Sequence, residues 1–175
     1  RASAVRGWVV VRGGRTVGAV EDPGYPPFRS ALTSAGATVV PVPVDEEGLR
    51  VDLLPTAAKV VYVTPSHQFP LGSTMSMTRR AALLDFARRA KAVVIEDDYD
   101  GEFRAEGRPL DALQTIDGEQ CVFYVGTFSK SLFPALRMGF VVAPDWARSA
   151  LLTAKQRADW HNPLPAQDFV SQTYV

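Results

Sequence analysis

Three short, nearly unbroken apolar runs decide what this chain can fold into. Residues 59–63 (KVVYV), 92–95 (AVVI) and 121–125 (CVFYV) are rich in β-branched and aromatic side chains and lack polar alternation, as expected of strands covered on both faces. Between the first two lies 78–90, where Ala81, Leu83, Leu84, Phe86 and Ala87 form an apolar stripe at helical spacing. Strands separated by helices or long crossovers predict a three-layer α/β fold, a mostly parallel sheet with helices on both faces.

The remaining segments fit that plan. Residues 8–11, followed by Gly13 and Gly14, read as the tail of an apolar element and a tight turn, and 16–20 as a short strand that ends at the turn signal EDPGYPP. A helix is expected over 28–35, with Phe28, Ala31, Leu32 and Ala35 on one side and Gly36 as its C-cap. The prolines of 39–44 suit an edge strand, and 45–55 is a polar connection with room for a helical turn. Residues 101–118 look irregular and 138–142 read as a strand. Asp145 is expected to cap a last helix reaching about residue 158, and the tail 161–175, with Pro163 and Pro165, shows no pattern.

Polar loops at 21–27, 64–72, 96–100 and 126–131 then leave the carboxyl ends of strands and converge on one edge of the sheet, where open α/β sheets place their chemistry. The last of them holds Lys130 amid the hydroxyls of Thr127, Ser129 and Ser131, with Arg137 seven residues on. Small hydroxyls, one amine and one fixed cation suit an anion that carries a reactive carbonyl. A phosphate-binding P-loop is excluded because GxxxxGK[ST] needs glycine where Ser129 stands. The SxxK pattern fails because Thr127 holds the place of the serine, and a Ser-His-Asp hydrolase would need a G-x-S-x-G elbow that is absent.

Charge and composition remove other classes. With 19 basic and 19 acidic residues the chain carries no broad positive field for nucleic acid, and Arg79, Arg80, Arg88, Arg89 and Lys91 fall at helical spacing suited to a solvated face. No apolar run approaches the roughly 20 residues of a membrane span, and RASAVRGWVVVRGG lacks the features of a secretory signal. The single cysteine, Cys121, cannot form an internal disulfide and reads as a buried filler, in keeping with a reducing cytoplasm. We find no repeat or linker that divides the chain, and treat 1–175 as a single partial domain.

Two ligand classes compete for the converging loops. Glu96, Asp97, Asp98 and Asp100 offer the oxygens of a Mg²⁺ site, but the other strand ends supply mainly Ser, Thr, His, Tyr and Lys. His67 as a zinc ligand is weaker, since the only other histidine is His161. Pyridoxal phosphate accounts for more residues at once. Its aldehyde needs a lysine, its pyridine nitrogen a carboxylate, and its phosphate hydroxyls plus an arginine. Lys130, an aspartate of the 97–98 pair, Thr127, Ser129 and Arg137 provide these, and Tyr25 offers an aromatic face for the ring.

Five segments, VEDPGYPPF (20–28), VPVDEEGLRVDLLP (42–55), VTPSHQFPLG (63–72), IEDDYDGEFR (95–104) and GTFSKSLFPALRMGF (126–140), make the chain resemble the large domain of fold-type I pyridoxal-phosphate enzymes of the class I aminotransferase kind. The resemblance covers about 16–143 and is strongest to the aminotransferase-like effector domain of MocR-type regulators of the GntR superfamily. It implies that Lys130 forms a Schiff base with pyridoxal 5'-phosphate, that Asp97 pairs with the pyridine nitrogen, and that Tyr99 bonds the ring hydroxyl. It also implies that Tyr25 stacks on the ring and that Thr127, Ser129 and Arg137 hold phosphate. Asp97 rather than Asp98 has the family's two-residue spacing to Tyr99. The family's Asn-Pro-x-Gly loop has Phe69 here before Pro70, so the asparagine's role passes to His67 or Gln68, and the HQFP wording favours the regulator type.

The resemblance leaves two functions open. One is a regulator whose aminotransferase-like half senses a small amino acid or amine, with DNA bound by a separate winged helix-turn-helix. The other is a catalytic aminotransferase. The family's earlier glycine-containing phosphate loop, its small C-terminal domain and the DNA-binding module do not occur in this sequence. We therefore expect a piece of a longer, homodimeric protein, and weak cofactor binding and no transamination by these 175 residues alone.

Overall fold

The computed structural model describes residues 16–100, 111–130 and 138–174. In chain order the elements are β1 (Val17–Asp22), α1 (Pro26–Ser34), β2 (Thr38–Asp45), β3 (Gly48–Leu49), a 3-10 turn (Val51–Leu53), β4 (Ala58–Val63) and α2 (Met77–Ala90). They continue with β5 (Val93–Asp98), α3 (Leu113–Ile116), β6 (Val122–Thr127), β7 (Gly139–Val142), α4 (Asp145–Asp159) and α5 (Leu164–Tyr174). The strands form one sheet in the order β3-β2-β1-β4-β5-β6-β7. Every pairing from β2 through β6 is parallel, and the two-residue β3 and the edge strand β7 pair antiparallel. The expected mostly parallel α/β sheet is thus present, but β2, expected at the edge, lies second from it; β3 pairs only with Val44 and Asp45, so Pro41 and Pro43 stay outside that ladder.

Helices cover both faces. On one, α2 delivers Leu83, Phe86 and Ala87 and α3 delivers Leu113 against Ala19, Val61, Val63, Val94 and Val122. On the other, Leu32 of α1 and Trp146 of α4 pack on Val60, Val93, Ile95 and Phe123. Each large side chain fully buried on the first face, such as Leu83 or Leu113, contributes about 1.5–3 kcal/mol. Chain order reverses at β1: β2 lies on one side of it, and β4, β5 and β6 follow on the other. The loops after β1 and β4 therefore part to opposite faces and leave a crevice at the carboxyl edge.

α2 begins where Ser76 Oγ accepts from the Arg79 amide at 3.2 Å and ends at Lys91, which takes the left-handed conformation at φ 50° while Ala92 N–H bonds Ala87 C=O. Gly36, at φ +81°, ends α1 in the same way.

Several expectations change. β1, β5 and β6 run two or three residues beyond their apolar cores, so Glu21, Glu96, Asp97 and Asp98 are strand residues and not loop residues. Ala81, expected on the apolar stripe, is exposed. Arg79 and Arg80, expected on a solvated face, turn inward. Arg80 is fully buried and donates to the carbonyls of Met75, Pro65 and Asp111 at 3.0, 2.8 and 3.2 Å, with Glu96 Oε1 3.8 Å away. Glu96 in turn accepts from the amides of Leu113 and Gln114 at 2.9 and 3.0 Å, and burial raises its carboxyl pKa above the ordinary range. Arg79 donates to Leu49 C=O at 2.6 Å and to Asp45 at 3.0 Å, tying α2 to the β2–β3 turn.

Asp145 does not cap α4; it is the first helical residue, after Pro144, and makes no side-chain cap bond. The tail holds a further helix, α5, whose first free amides, of Ala166 and Gln167, bond Pro163 C=O. Cys121 is buried, with its thiol pushed up to about 12 by burial. The tight turn expected near Gly13 lies outside the described residues, as does most of 101–118. Among the described residues no helix is long and apolar enough to cross a membrane.

Arg80→Met keeps the aliphatic stem but removes a hydrogen bond from each of three carbonyls and the cation beside the buried Glu96. It is expected to cost about 3–5 kcal/mol, the usual penalty for breaking a buried ionic network, and urea unfolding of the variant measures the loss.

Candidate functional site

A cleft of about 570 Å³ opens at the carboxyl edge of the sheet. Each neighbouring strand contributes to it: Tyr25 after β1, Tyr62 and Thr64 at the end of β4 with Phe69 beyond, Asp97 of β5 with Tyr99 just after it, and Val125, Gly126, Thr127, Ser129 and Lys130 from β6 and its loop, faced by Gly139 of β7. Two glycines make the last wall thin. A Cβ on Gly126 would lie 2.4 Å from the ring of Phe140, and one on Gly139 would lie 2.7 Å from Gly126 O, so the antiparallel pairing of Gly126 with Phe140 and of Thr127 with Gly139 admits no side chain at either.

The pleat of β5 sorts its carboxylates, because successive side chains point to opposite faces. Glu96 goes to Arg80. Asp98, on the same side as Glu96, accepts from the Tyr124 hydroxyl at 2.7 Å through Oδ2, while its buried Oδ1 has no partner among the described residues. Asp97 faces the other way and lines the cleft. Its Oδ2 accepts from the Tyr62 hydroxyl at 2.5 Å. Burial raises the Asp97 pKa, the Tyr62 hydrogen bond lowers it, and Asp98 raises it further.

Lys130 is half exposed at the mouth of the cleft. Its Nζ sits 4.5 Å above the ring of Tyr99 and 3.9 Å from Asp100 Oδ2. Behind it the Thr127 hydroxyl accepts from the Ser129 amide at 3.1 Å, fixing the turn that carries the lysine. Of the residues singled out from the sequence, Tyr25, Asp97, Tyr99, Thr127, Ser129 and Lys130 meet in this cleft. Arg137 lies outside the described residues, as does Ser131.

His67 and Gln68 are not among the residues that line it. His67 stacks on Tyr99 with ring centroids 5.9 Å apart and bonds Asp100 through Nδ1. Gln68, almost fully buried, donates to Pro23 O at 2.9 Å and to Phe69 O at 2.6 Å, and accepts from the Leu71 amide at 3.1 Å. It thereby ties the loop after β4 to the loop after β1.

Sequence reasoning missed Glu21, Tyr62, Thr64 and Phe69. Phe69 stands edge-on to both Tyr25 and Tyr99, at 5.7 and 6.1 Å. Glu21 Oε2 accepts from the Thr64 hydroxyl at 2.7 Å, the Thr64 amide at 3.2 Å and Gln68 at 3.3 Å, and its buried Oε1 has no partner among the described residues. A carboxylate directly before a proline turn, at the end of a strand, was the available signal.

Burial is the main reason that the Glu21 carboxyl rises from the ordinary 4.5 to about 7. Between those values the folded chain keeps a proton that the unfolded chain releases, so stability falls as pH rises through this window and levels off above it. The span corresponds to about 3 kcal/mol. Glu21→Gln keeps an oxygen for Thr64 and Gln68 but does not titrate. Denaturant unfolding between pH 4.5 and 7 is expected to show the wild-type decline to be steeper than that of the variant by this amount.

With the geometry in place, the chain can be compared with known proteins. Residues 12–172 match the model of aminotransferase class I and II. The uncharacterised HTH-type transcriptional regulator YdeL of Bacillus subtilis is 42% identical over 155 residues, which cover 86% of this chain and 34% of that protein. The probable rhizopine catabolism regulatory protein MocR of Rhizobium meliloti is 40% identical over 160 residues, covering 89% and 32%. The chain thus spans about a third of the length of these relatives. Among solved structures, the alpha-aminoadipate aminotransferase LysN of Thermus thermophilus, complexed with N-(5'-phosphopyridoxyl)-L-leucine, superposes with a TM-score of 0.86 at 32% identity, covering 98% of this chain and 46% of that one. By the family match over nearly its whole length, the chain belongs to the aminotransferase class I and II family.

Proposed function

We propose that this domain binds pyridoxal 5'-phosphate through Lys130 and serves as the effector-sensing part of a MocR-type transcriptional regulator. The observation that carries the reading is the meeting, in one cleft, of an accessible lysine, a half-buried carboxylate, three tyrosines and the hydroxyls of Thr64, Thr127 and Ser129. When bound, the cofactor supplies an aldehyde that an amine can capture and a protonated ring that withdraws electrons from it.

The chain's own groups fit that ligand. Lys130 is the one lysine in the cleft lining and would hold the aldehyde. Asp97, with one oxygen already bonded to Tyr62, would keep a proton on the ring nitrogen. Tyr25, steadied by Phe69, would cover a ring face, and Tyr99 would bond the ring hydroxyl. Thr127 and Ser129 would meet the phosphate, with Arg137 as its cation. His67 would act on the site through Tyr99 and Asp100, and Gln68 by holding the loop.

The effector would be a small amino acid or amine that competes with Lys130 for the aldehyde, in a homodimeric cytoplasmic protein whose DNA contacts lie in another domain. The relatives YdeL and MocR support the regulator. The likeness to LysN supports a second reading, a catalytic aminotransferase. Sustained turnover of an amino acid with a 2-oxo acid would favour the enzyme. DNA binding that responds to an amine, without turnover, would favour the regulator.

Two outcomes are expected of the full-length protein. Mixing with pyridoxal phosphate gives a visible absorbance band that Lys130→Ala abolishes, and borohydride reduction followed by peptide mapping places the label on Lys130; a label on Lys59, Lys91 or Lys155 would overturn the assignment. Asp97→Asn weakens cofactor binding roughly 10- to 100-fold, the worth of one charge-assisted hydrogen bond, and Asp98→Asn weakens it less. The reverse ranking in a binding titration would place the ring on the other face of β5.

A further inference from the structure

The carboxylate that faces the cleft is held by a residue that no motif pointed to. Parallel pairing sets Tyr62 of β4 opposite Ile95 of β5, and Asp97 lies one pleat further along the same face. The Tyr62 ring is only 2% exposed and stacks on Phe28 of α1 at 4.0 Å and 15°. A phenol pinned between a strand and a helix can aim its hydroxyl over only a narrow arc, and Asp97 Oδ2 occupies that arc at 2.5 Å.

We propose that Tyr62 is the positioning residue for Asp97: its hydroxyl commits Oδ2, and with it the rotamer of the carboxylate, so that Asp97 is preorganised to receive the protonated ring nitrogen of the cofactor. This rests on the pyridoxal phosphate reading above. The electrostatics agree with the geometry. Burial and Asp98 both favour a neutral Asp97, and the Tyr62 hydrogen bond opposes them. A neutral carboxylic acid would be a poor partner for a pyridinium, and the same bond that orients Asp97 works against its protonation. Phe28, through its stack on Tyr62, extends the chain of support back to α1.

The test compares two ligands on the full-length protein. One is pyridoxal phosphate and the other its analogue with CH in place of the ring nitrogen, which keeps the aldehyde and phosphate but gives Asp97 nothing to bind. Tyr62→Phe, which preserves the stack on Phe28, is expected to weaken pyridoxal phosphate about tenfold and the carbon analogue less than twofold. In an Asp97→Asn background the same substitution is expected to add little. Equal losses for both ligands would overturn the proposal and make Tyr62 a packing residue, and no loss for either would overturn it outright. Thermal unfolding of the apo variant within about 2 °C of wild type confirms that a loss is local. Failure of the wild-type protein to bind either ligand would be a different result, overturning the cofactor reading and this inference with it.

Discussion

The two-residue period of β5 is the constraint on which the site depends. Three consecutive carboxylates, Glu96, Asp97 and Asp98, occupy the end of one strand, where like charges in series would repel. The pleat separates them. Glu96 enters the core beneath α2 and meets Arg80 and two helix amides, Asp98 meets Tyr124, and Asp97 alone faces the cleft. A slip of one residue in the β4–β5 register would exchange their places. The buried Arg80 network opposes such a slip, because it ties β5 simultaneously to α2, to α3 and to the loop after β4.

Beside this strand, the loops of β1 and β4 are joined by a second polar cluster. Glu21, Thr64 and Gln68 bridge the reversal point of the sheet with buried and part-buried hydrogen bonds. Phe69, which projects from the loop after β4, therefore stands edge-on between Tyr25 and Tyr99, in contact with both rings. Helices and strands provide the frame, and these two clusters set where the cleft's side chains lie within it. The functional groups sit on strand ends and on short loops tethered to them, the most rigid positions that remain open to a ligand.

Much of this was legible in the sequence, for specific reasons. Apolar runs such as 59–63 could only be covered strands, and the order of helices and strands left a parallel sheet as the simple solution. The position of Lys130 after one strand and of Tyr25 after another followed from that topology. Asp97 could be separated from Asp98 only by its spacing to Tyr99, a resemblance that the pleat now explains physically. What local patterns could not show were the non-local partners. Arg80 looks solvated because its acceptors, at Pro65, Met75 and Asp111, are scattered along the chain. Tyr62 looks like core because its hydroxyl partner is 35 residues away. The helix Leu164–Tyr174 was hidden by its prolines, which occupy the N-terminal positions where a helix tolerates them.

The central claim is that β5 presents Asp97, as a charged carboxylate, to the ring nitrogen of a bound pyridoxal phosphate. Nitrogen-15 labelling of that ring reads the claim directly, because its chemical shift separates a protonated from a neutral pyridine nitrogen. In the full-length protein a protonated shift is predicted to persist at a pH where the free cofactor has lost that proton, and to vanish in Asp97→Asn. A neutral shift in the wild type, or a protonated one unchanged in Asp97→Asn, would contradict it.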